Sequence, residues 1–166
     1  MNRTCIAIVD AARARLFSFE RDSDAGRPHE QMTELVDLVN PARRRTPSQL
    51  FSDSRPGSSR VGNRQYAFDD HREAHIENMD LEFARAIHAE ISRVLGETEA
   101  HQLIVCAPPR MLDKLRKTAP ARSLVVVDEL PHDLVKLSTP NLRSRLAEDG
   151  VLPPPPARLT AGDMRP

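Results

Sequence analysis

The densest cluster of charged side chains lies between residues 42 and 66. This stretch holds six arginines and one acid, Asp53, which gives it a net charge of +5. Guanidinium groups bind phosphate oxygens through paired hydrogen bonds, so the composition predicts salt-dependent contact with an RNA backbone. The residues expected to contact RNA are Arg43, Arg44, Arg45, Arg60 and Arg64, with Gln65 near the tip of a loop.

The same stretch is rich in Pro, Gly and Ser and lacks apolar periodicity, so we predict one long flexible loop over 42–66. Two alternatives to RNA contact remain open. The chain has 21 Arg and 3 Lys, so the cluster can simply reflect an arginine-rich composition. Alternatively, the loop can dock onto residues 67–99, which carry a net charge of −6.

Asp10 ends the first predicted strand, where a nuclease with two metal ions would place a carboxylate ligand. Its partners would be Asp80 or Glu82 on the long predicted helix. A further acid would be expected after the strand at 102–106, but Cys106-Ala107-Pro108 stands there. The alternative is that Asp10 caps a turn, which is the common role of an aspartate after a strand.

His71 and His75 are spaced to share one helix face, which is a spacing compatible with metal binding. Arg72 occupies the position where a zinc protease would carry its general base, so we predict two solvated histidines and no metal. Cys5 and Cys106 fall within apolar strands and are expected to be buried thiols rather than nucleophiles. No glycine-rich phosphate-binding motif is present, so we expect no cofactor.

Length and composition limit the remaining possibilities. The chain has 166 residues, 24 basic against 24 acidic residues and 39% hydrophobic residues, which suits one domain. No apolar run is long enough to span a bilayer, and arginines at 13 and 15 interrupt any signal-peptide pattern. We therefore expect a cytoplasmic protein without disulfides.

Alternation and apolar runs predict five strands, near residues 4–9, 14–20, 32–39, 102–106 and 124–128. The first three strands are joined by short turns and should form an antiparallel meander, whose exposed edge near 32–39 would allow a homodimer. The last two strands flank a helix and should form a parallel βαβ unit. The prediction is an α/β fold with a mixed five-stranded, ribonuclease-H-like sheet and helices on its faces.

Three helices are predicted around these strands. The longest should begin with Asn78 as its cap and end at Gly96. A second helix should start at Pro108-Pro109 and a third at Thr139-Pro140. The domain is expected to cover 1–150, followed by a proline-rich, disordered tail over 151–166.

Three segments resemble the host attachment protein family, bacterial proteins named as required for attachment to host cells. They are IAIVDAARARLFSF at 6–19, LIVCAPPRMLDKLRK at 103–117 and VVVDELPHDLVKLSTPNLRSRL at 125–146. This family is related to bacterial counterparts of archaeal and eukaryotic peptide-chain release factors. The resemblance implies a fold like the middle domain of a release factor.

Release factors carry a Gly-Gly-Gln loop that promotes peptidyl-tRNA hydrolysis. The comparable segment here is GSSRVGNRQ at 57–65, in which Asn63-Arg64 precedes Gln65 instead of two glycines. Arg rarely adopts the positive φ that such a loop requires, which argues against termination chemistry. The resulting expectation is a non-enzymatic, cytoplasmic module that binds the ribosome or tRNA, with attachment as an indirect outcome. The alternatives are a direct adhesion factor and a metal-dependent nuclease.

Overall fold

The structure is a computed structural model that describes residues 2–22, 29–44, 65–120 and 126–156. Within these residues the chain forms five strands and four helices. The strands are β1 (Asn2–Val9), β2 (Arg13–Asp22), β3 (His29–Val39), β4 (Gln102–Cys106) and β5 (Val126–Leu130). The helices are α1 (Pro41–Arg44), α2 (Gln65–Thr98), α3 (Pro109–Thr118) and α4 (Thr139–Glu148).

The five strands form one open mixed sheet in the order β3-β2-β1-β4-β5. The pairs β1/β2 and β2/β3 are antiparallel, whereas β1/β4 and β4/β5 are parallel. This arrangement confirms the predicted meander joined to a parallel βαβ unit. The predicted strands are all present with slightly shifted ends, and residues 124 and 125 lie outside the described residues.

The strand β1 forms the centre of the fold because Thr4–Val9 is buried along its whole length. Its odd-numbered residues pack against α2 and α3, while Ile6 and Ile8 pack against the opposite cluster with Leu142 and Leu146 of α4. A strand that is apolar on both faces is expected where helices cover both sides of a sheet. The strand therefore separates two layers of core.

The start and end predicted for α2 were wrong. The helix begins at Gln65 and ends at Thr98, so Asn78 is inside the helix and is not its cap. Gly96 is also inside the helix, where a methyl group on its Cα would contact nothing within 4 Å. The helix ends two residues later at Thr98, and the next residue, Glu99, takes a positive φ of 52°. The other two helix starts are confirmed at Pro109 and Thr139.

The predicted loop over 42–66 was wrong at both ends. Residues up to Arg44 belong to α1, and α2 already begins at Gln65. Residues 45–64 lie outside the described part of the chain.

The carboxyl-terminal end of the core also differs from the prediction. Leu152 is only 4% exposed and packs in the α4 layer, so the core extends past the predicted boundary at 150. Residues 157–166 of the predicted tail lie outside the described residues.

The strand β3 is an edge of the sheet, as predicted. Its pairing with β2 shifts between Leu16 and Phe17, so Leu35 has no partner there and is 42% exposed. A bulge of this kind twists an edge and hinders pairing with another chain. Self-association through this edge stays a prediction.

Candidate functional site

A pocket of about 640 Å³ lies where the carboxyl ends of the parallel strands β1 and β4 meet. In open α/β sheets, ligands bind in the crevice outside such strand ends, at points where neighbouring strands continue in different directions. Here β1 continues into a hairpin and β4 into α3. The pocket is lined by Ala11, Arg43, Glu73, Ile76, Glu77, Asp80, Pro108, Arg110, Met111 and Lys114.

The turn after β1 forms one end of this pocket. The Asp10 carboxylate accepts hydrogen bonds from the backbone N–H groups of Ala12 and Arg13, each at 2.7 Å. Asp10 N–H donates to the Arg13 carbonyl at 2.9 Å. Asp10 therefore caps a tight turn, which is the alternative that the sequence left open beside metal binding.

Asn40, which is 1% exposed, ties this turn to α1 and α2. Its side-chain amide donates to the Ala11 carbonyl at 2.9 Å and to Asp80 Oδ1 at 3.3 Å. Its amide oxygen accepts from Ala42 N–H at 3.1 Å. Asn40 thereby satisfies backbone groups that would otherwise be buried without partners.

Asp80 is the buried acid of the pocket, with a side chain that is 5% exposed. Its Oδ2 atom accepts from Arg43 Nη2 at 2.9 Å and from Lys114 Nζ at 3.0 Å. Desolvating a carboxylate is expensive, and it is tolerated where cationic donors surround the group. Asp80 therefore holds α1, α2 and α3 together at the floor of the pocket.

Lys114 is the half-buried cation of the pocket, with a side chain that is 14% exposed. Burial disfavours the ammonium, but hydrogen bonds to Glu77 and Asp80 outweigh it and hold the pKa of Lys114 above its ordinary value. The ammonium is therefore permanently charged at neutral pH. Lys114, Glu77, Asp80 and Arg43 form one connected network of two cations and two anions.

Two further charged side chains line the pocket, and both are exposed. Arg110 lies in the first turn of α3, and Glu73 lies one turn before Glu77 on α2. Neither forms a hydrogen bond or an ion pair with a residue that the structure describes. Both groups are therefore available to a ligand.

The residues predicted to contact RNA fall into three groups. Arg43 is not part of a flexible loop, because it lies in α1 and forms an ion pair with Asp80. For this one arginine the contact is of the kind expected if the loop docks onto the acidic stretch 67–99, and docking of the rest of the loop stays a prediction. Arg44 ends α1, and Gln65 begins α2 rather than occupying a loop tip. Arg45, Arg60 and Arg64 lie outside the described residues.

The carboxylates considered for a nuclease site are engaged separately. Asp10 caps its turn, Asp80 pairs with Arg43 and Lys114, and Glu82 borders a different groove. The described ranges contain no group of three or more His, Cys, Asp or Glu side chains that could hold a metal ion. His75 is exposed on α2.

Cys5 and Cys106 lie on the neighbouring strands β1 and β4, as predicted, and both are fully buried. They belong to different core clusters, on opposite faces of the sheet. Burial raises the pKa of each thiol from 9.0 to about 12. A thiolate nucleophile requires the reverse shift, so neither cysteine is suited to catalysis.

Sequence reasoning did not find the pocket, because it considered Asp80 only as a possible metal ligand. One signal was present. Asp80 precedes Phe83, Ala84 and Ile87 at helical spacing, so it lies on the apolar stripe of α2. A charged residue on such a stripe indicates a buried group with partners. The identity of those partners, Arg43 and Lys114, depends on the tertiary fold.

A family model described as "Protein required for attachment to host cells" matches residues 5–146 of the chain. A search of the curated proteins gives no match. The matched range contains the whole sheet from Cys5 onward, the pocket and most of α4. Among the described residues, none of the helices has both the length and the apolar character that crossing a membrane requires.

Proposed function

Because the chain belongs to the family of proteins required for attachment to host cells, we propose that it is a non-enzymatic binding module that contacts RNA. Its partner would be ribosomal or transfer RNA in the cytoplasm, and attachment would be an indirect outcome. The contacts would come from Arg44, Arg45, Arg60 and Arg64, with Gln65 beside them. The observation that carries the proposal is the separation of charge along an otherwise neutral chain.

The helices on either side of the basic segment 45–64 support this proposal. The chain enters the segment at α1, whose Arg43 lines the pocket, and leaves it at α2, whose Glu73 lines the same pocket. At about 1.5 Å per residue, Gln65 lies about 12 Å before Glu73 along the helix. Both helices that flank the segment therefore contribute a residue to the same pocket.

We also propose that the fold is related to the ribonuclease-H-like sheet and to the middle domain of release factors. The strand order β3-β2-β1-β4-β5, with antiparallel β2, supports this relation. Release chemistry itself is not part of the proposal, because Asn63-Arg64 replaces the two glycines before Gln65. Nuclease chemistry is not part of it either, because Asp10 and Asp80 are already bonded within the fold.

The test is binding of single-stranded RNA to the full chain at several salt concentrations. The variant replaces Arg44, Arg45, Arg60 and Arg64 with Gln. The matched control replaces four exposed basic residues elsewhere with Gln, namely Arg85, Arg93, Lys117 and Lys136. Arg43 is left unchanged because it stabilises Asp80.

We expect the parent and the control to bind RNA, with affinity that falls as salt rises. On single strands each phosphate contact contributes about 0.7 to the magnitude of the slope of log affinity against log salt. The slope measured for the variant should therefore be smaller in magnitude than that of the parent by about 3. Equal slopes for variant and control, or no binding by the parent at low salt, would reject the proposal.

A direct role at the host surface is the second candidate, and the family description favours it. Cell fractionation with a specific antibody distinguishes the two. Recovery in the cytoplasmic fraction together with ribosomes supports the RNA-binding proposal. Recovery in the envelope fraction, with the protein accessible to antibody on intact cells, supports direct adhesion instead.

A further inference from the structure

The pocket at the ends of β1 and β4 has balanced charge. Six of its lining residues have charged side chains, three of them basic and three acidic. The list is Arg43, Arg110, Lys114, Glu73, Glu77 and Asp80. A pocket that attracted a simple anion or a simple cation would carry an excess of the opposite sign, so neither class of ligand fits this lining well.

The two signs come from different helices, each of which forms a wall of the pocket. The anions all lie on α2, where Glu73 and Glu77 are one turn apart and share a face. The cations lie on α1 and α3, which provide Arg43 and Arg110 with Lys114. At the floor the walls are bridged by Lys114, which bonds to both Glu77 and Asp80.

One charged residue on each of two walls lies outside that bridge. Glu73 on the α2 wall and Arg110 on the α3 wall have no partner among the residues that the structure describes. Arg43 adds guanidinium donors beyond the one bonded to Asp80, because its side chain is 40% exposed. The open part of the pocket thus has an acidic side and a basic side.

The remaining lining is apolar. Ile76, Pro108 and Met111 border the same space, and Met111 is 3% exposed and fixed in the core. A volume of about 640 Å³ lies within the range typical of pockets for small molecules. An occupant can therefore place an apolar body against these residues and its charges against the two walls.

We propose that this pocket binds a small zwitterion, an α-amino acid or a short peptide with an apolar side chain. Its carboxylate would pair with Arg110 and its ammonium with Glu73. A zwitterion adds no net charge to a neutral pocket and satisfies both unpaired groups, whereas a phosphate dianion would face Glu73 and Glu77. This inference is independent of RNA binding, which involves other arginines.

The experiment measures the thermal unfolding midpoint of the full chain with each of the twenty amino acids and a set of apolar dipeptides. The strongest binder is then compared by calorimetry with its deaminated and decarboxylated analogues, which each retain one charge. We expect at least one apolar zwitterion to raise the midpoint, and both analogues to bind at least tenfold more weakly.

Variants identify the site. Arg110→Gln and Glu73→Gln should each weaken binding of the zwitterion at least tenfold without lowering the unfolding midpoint, because both side chains are exposed. Arg85→Gln and Glu82→Gln, exposed on α2 outside this pocket, should bind like the parent. The double variant Arg110→Glu with Glu73→Arg restores neutrality and should recover part of the affinity.

The proposal is overturned if no zwitterion raises the midpoint, if a singly charged analogue binds as tightly, or if Arg110→Gln and Glu73→Gln bind like the parent. We expect the variant that lacks Arg44, Arg45, Arg60 and Arg64 to bind the zwitterion like the parent. The same variant is the test of RNA contact, so failure of one proposal is distinguishable from failure of the other.

Discussion

Arg43 and Asp80 form an ion pair across 37 positions of sequence, with Arg43 Nη2 at 2.9 Å from Asp80 Oδ2. The pair joins α1 to α2, the helices on either side of the basic segment 45–64. Because Asp80 is buried and also bonded to Lys114, its loss would affect three helices at once. This relationship makes the pocket both a candidate binding site and a structural junction.

Asp80→Asn should destabilise the fold by about 3 kcal/mol, because breaking a buried ion pair leaves Lys114 without one of its two carboxylates. The measurement is the free energy of unfolding in urea. Glu82→Gln on the same helix is the control, and it should change stability by less than about 0.5 kcal/mol because Glu82 is exposed. Equal effects of the two substitutions would contradict the structural role given to Asp80.

Arg15→Met should cost about 3 kcal/mol. Arg15 is 7% exposed, forms two hydrogen bonds with Glu34 and donates to the carbonyls of Val135 and Leu137 at 3.0 and 2.7 Å. Its loss leaves these acceptors without their donor. Arg13→Met, two residues away, removes an exposed pair with Asp37 and should cost less than about 1 kcal/mol. The measurement is the free energy of unfolding of both variants in urea, and equal losses for Arg15→Met and Arg13→Met would contradict the prediction.

Glu34 should make the fold sensitive to acid. The hydrogen bonds from Arg15 hold the pKa of the Glu34 carboxyl below its ordinary value of 4.5. The ionised form is therefore favoured in the folded state, and its contribution to stability is present above pH 4.5 and lost as pH falls through the lowered pKa. Glu34→Gln should be less stable than the parent at pH 7, and the difference should shrink towards pH 3. A constant difference between the two proteins over this range would argue against the prediction.

Two glycines should respond to alanine with opposite signs. Gly150 follows α4 with a φ of +76°, so Gly150→Ala should destabilise the protein by about 1 kcal/mol. Gly96 is inside α2 with open space around its Cα, so Gly96→Ala should stabilise it by up to about 1 kcal/mol. Thermal unfolding midpoints measure both effects. A shift of the same sign for both would show that backbone conformation does not control them.

The strands β1 and β4 were predictable because their apolar runs coincide with burial on both faces of the sheet. The beginning of α2 could not be predicted, because residues 73–78 are mostly exposed and lack an apolar stripe. Periodicity marked only the half of this helix that packs on the sheet, beginning near Met79. Gly96 suggested an end, but an exposed glycine is tolerated inside a long helix that packing already stabilises.

The pocket could be predicted only in part. The sequence placed Asp10 and Pro108 at the ends of neighbouring strands, and these ends do border the pocket. Docking of the whole loop 42–66 onto the acidic stretch 67–99 was one of the alternatives that the sequence left open, but no residue pair was specified. The network among Arg43, Asp80 and Lys114 joins residues that are 34 and 37 positions apart, so no local pattern specifies it.

Cys5 and Cys106 lie on opposite faces of the sheet, so the accessibility of each thiol reports on the opening of a different core layer. Labelling of Cys5 follows the lifting of α2 and α3 from the sheet, and labelling of Cys106 follows the lifting of α4. If the layers open independently, pulse labelling with mass spectrometry resolves two opening rates in the unmodified protein. If they open together, both thiols are labelled at the single rate of global unfolding.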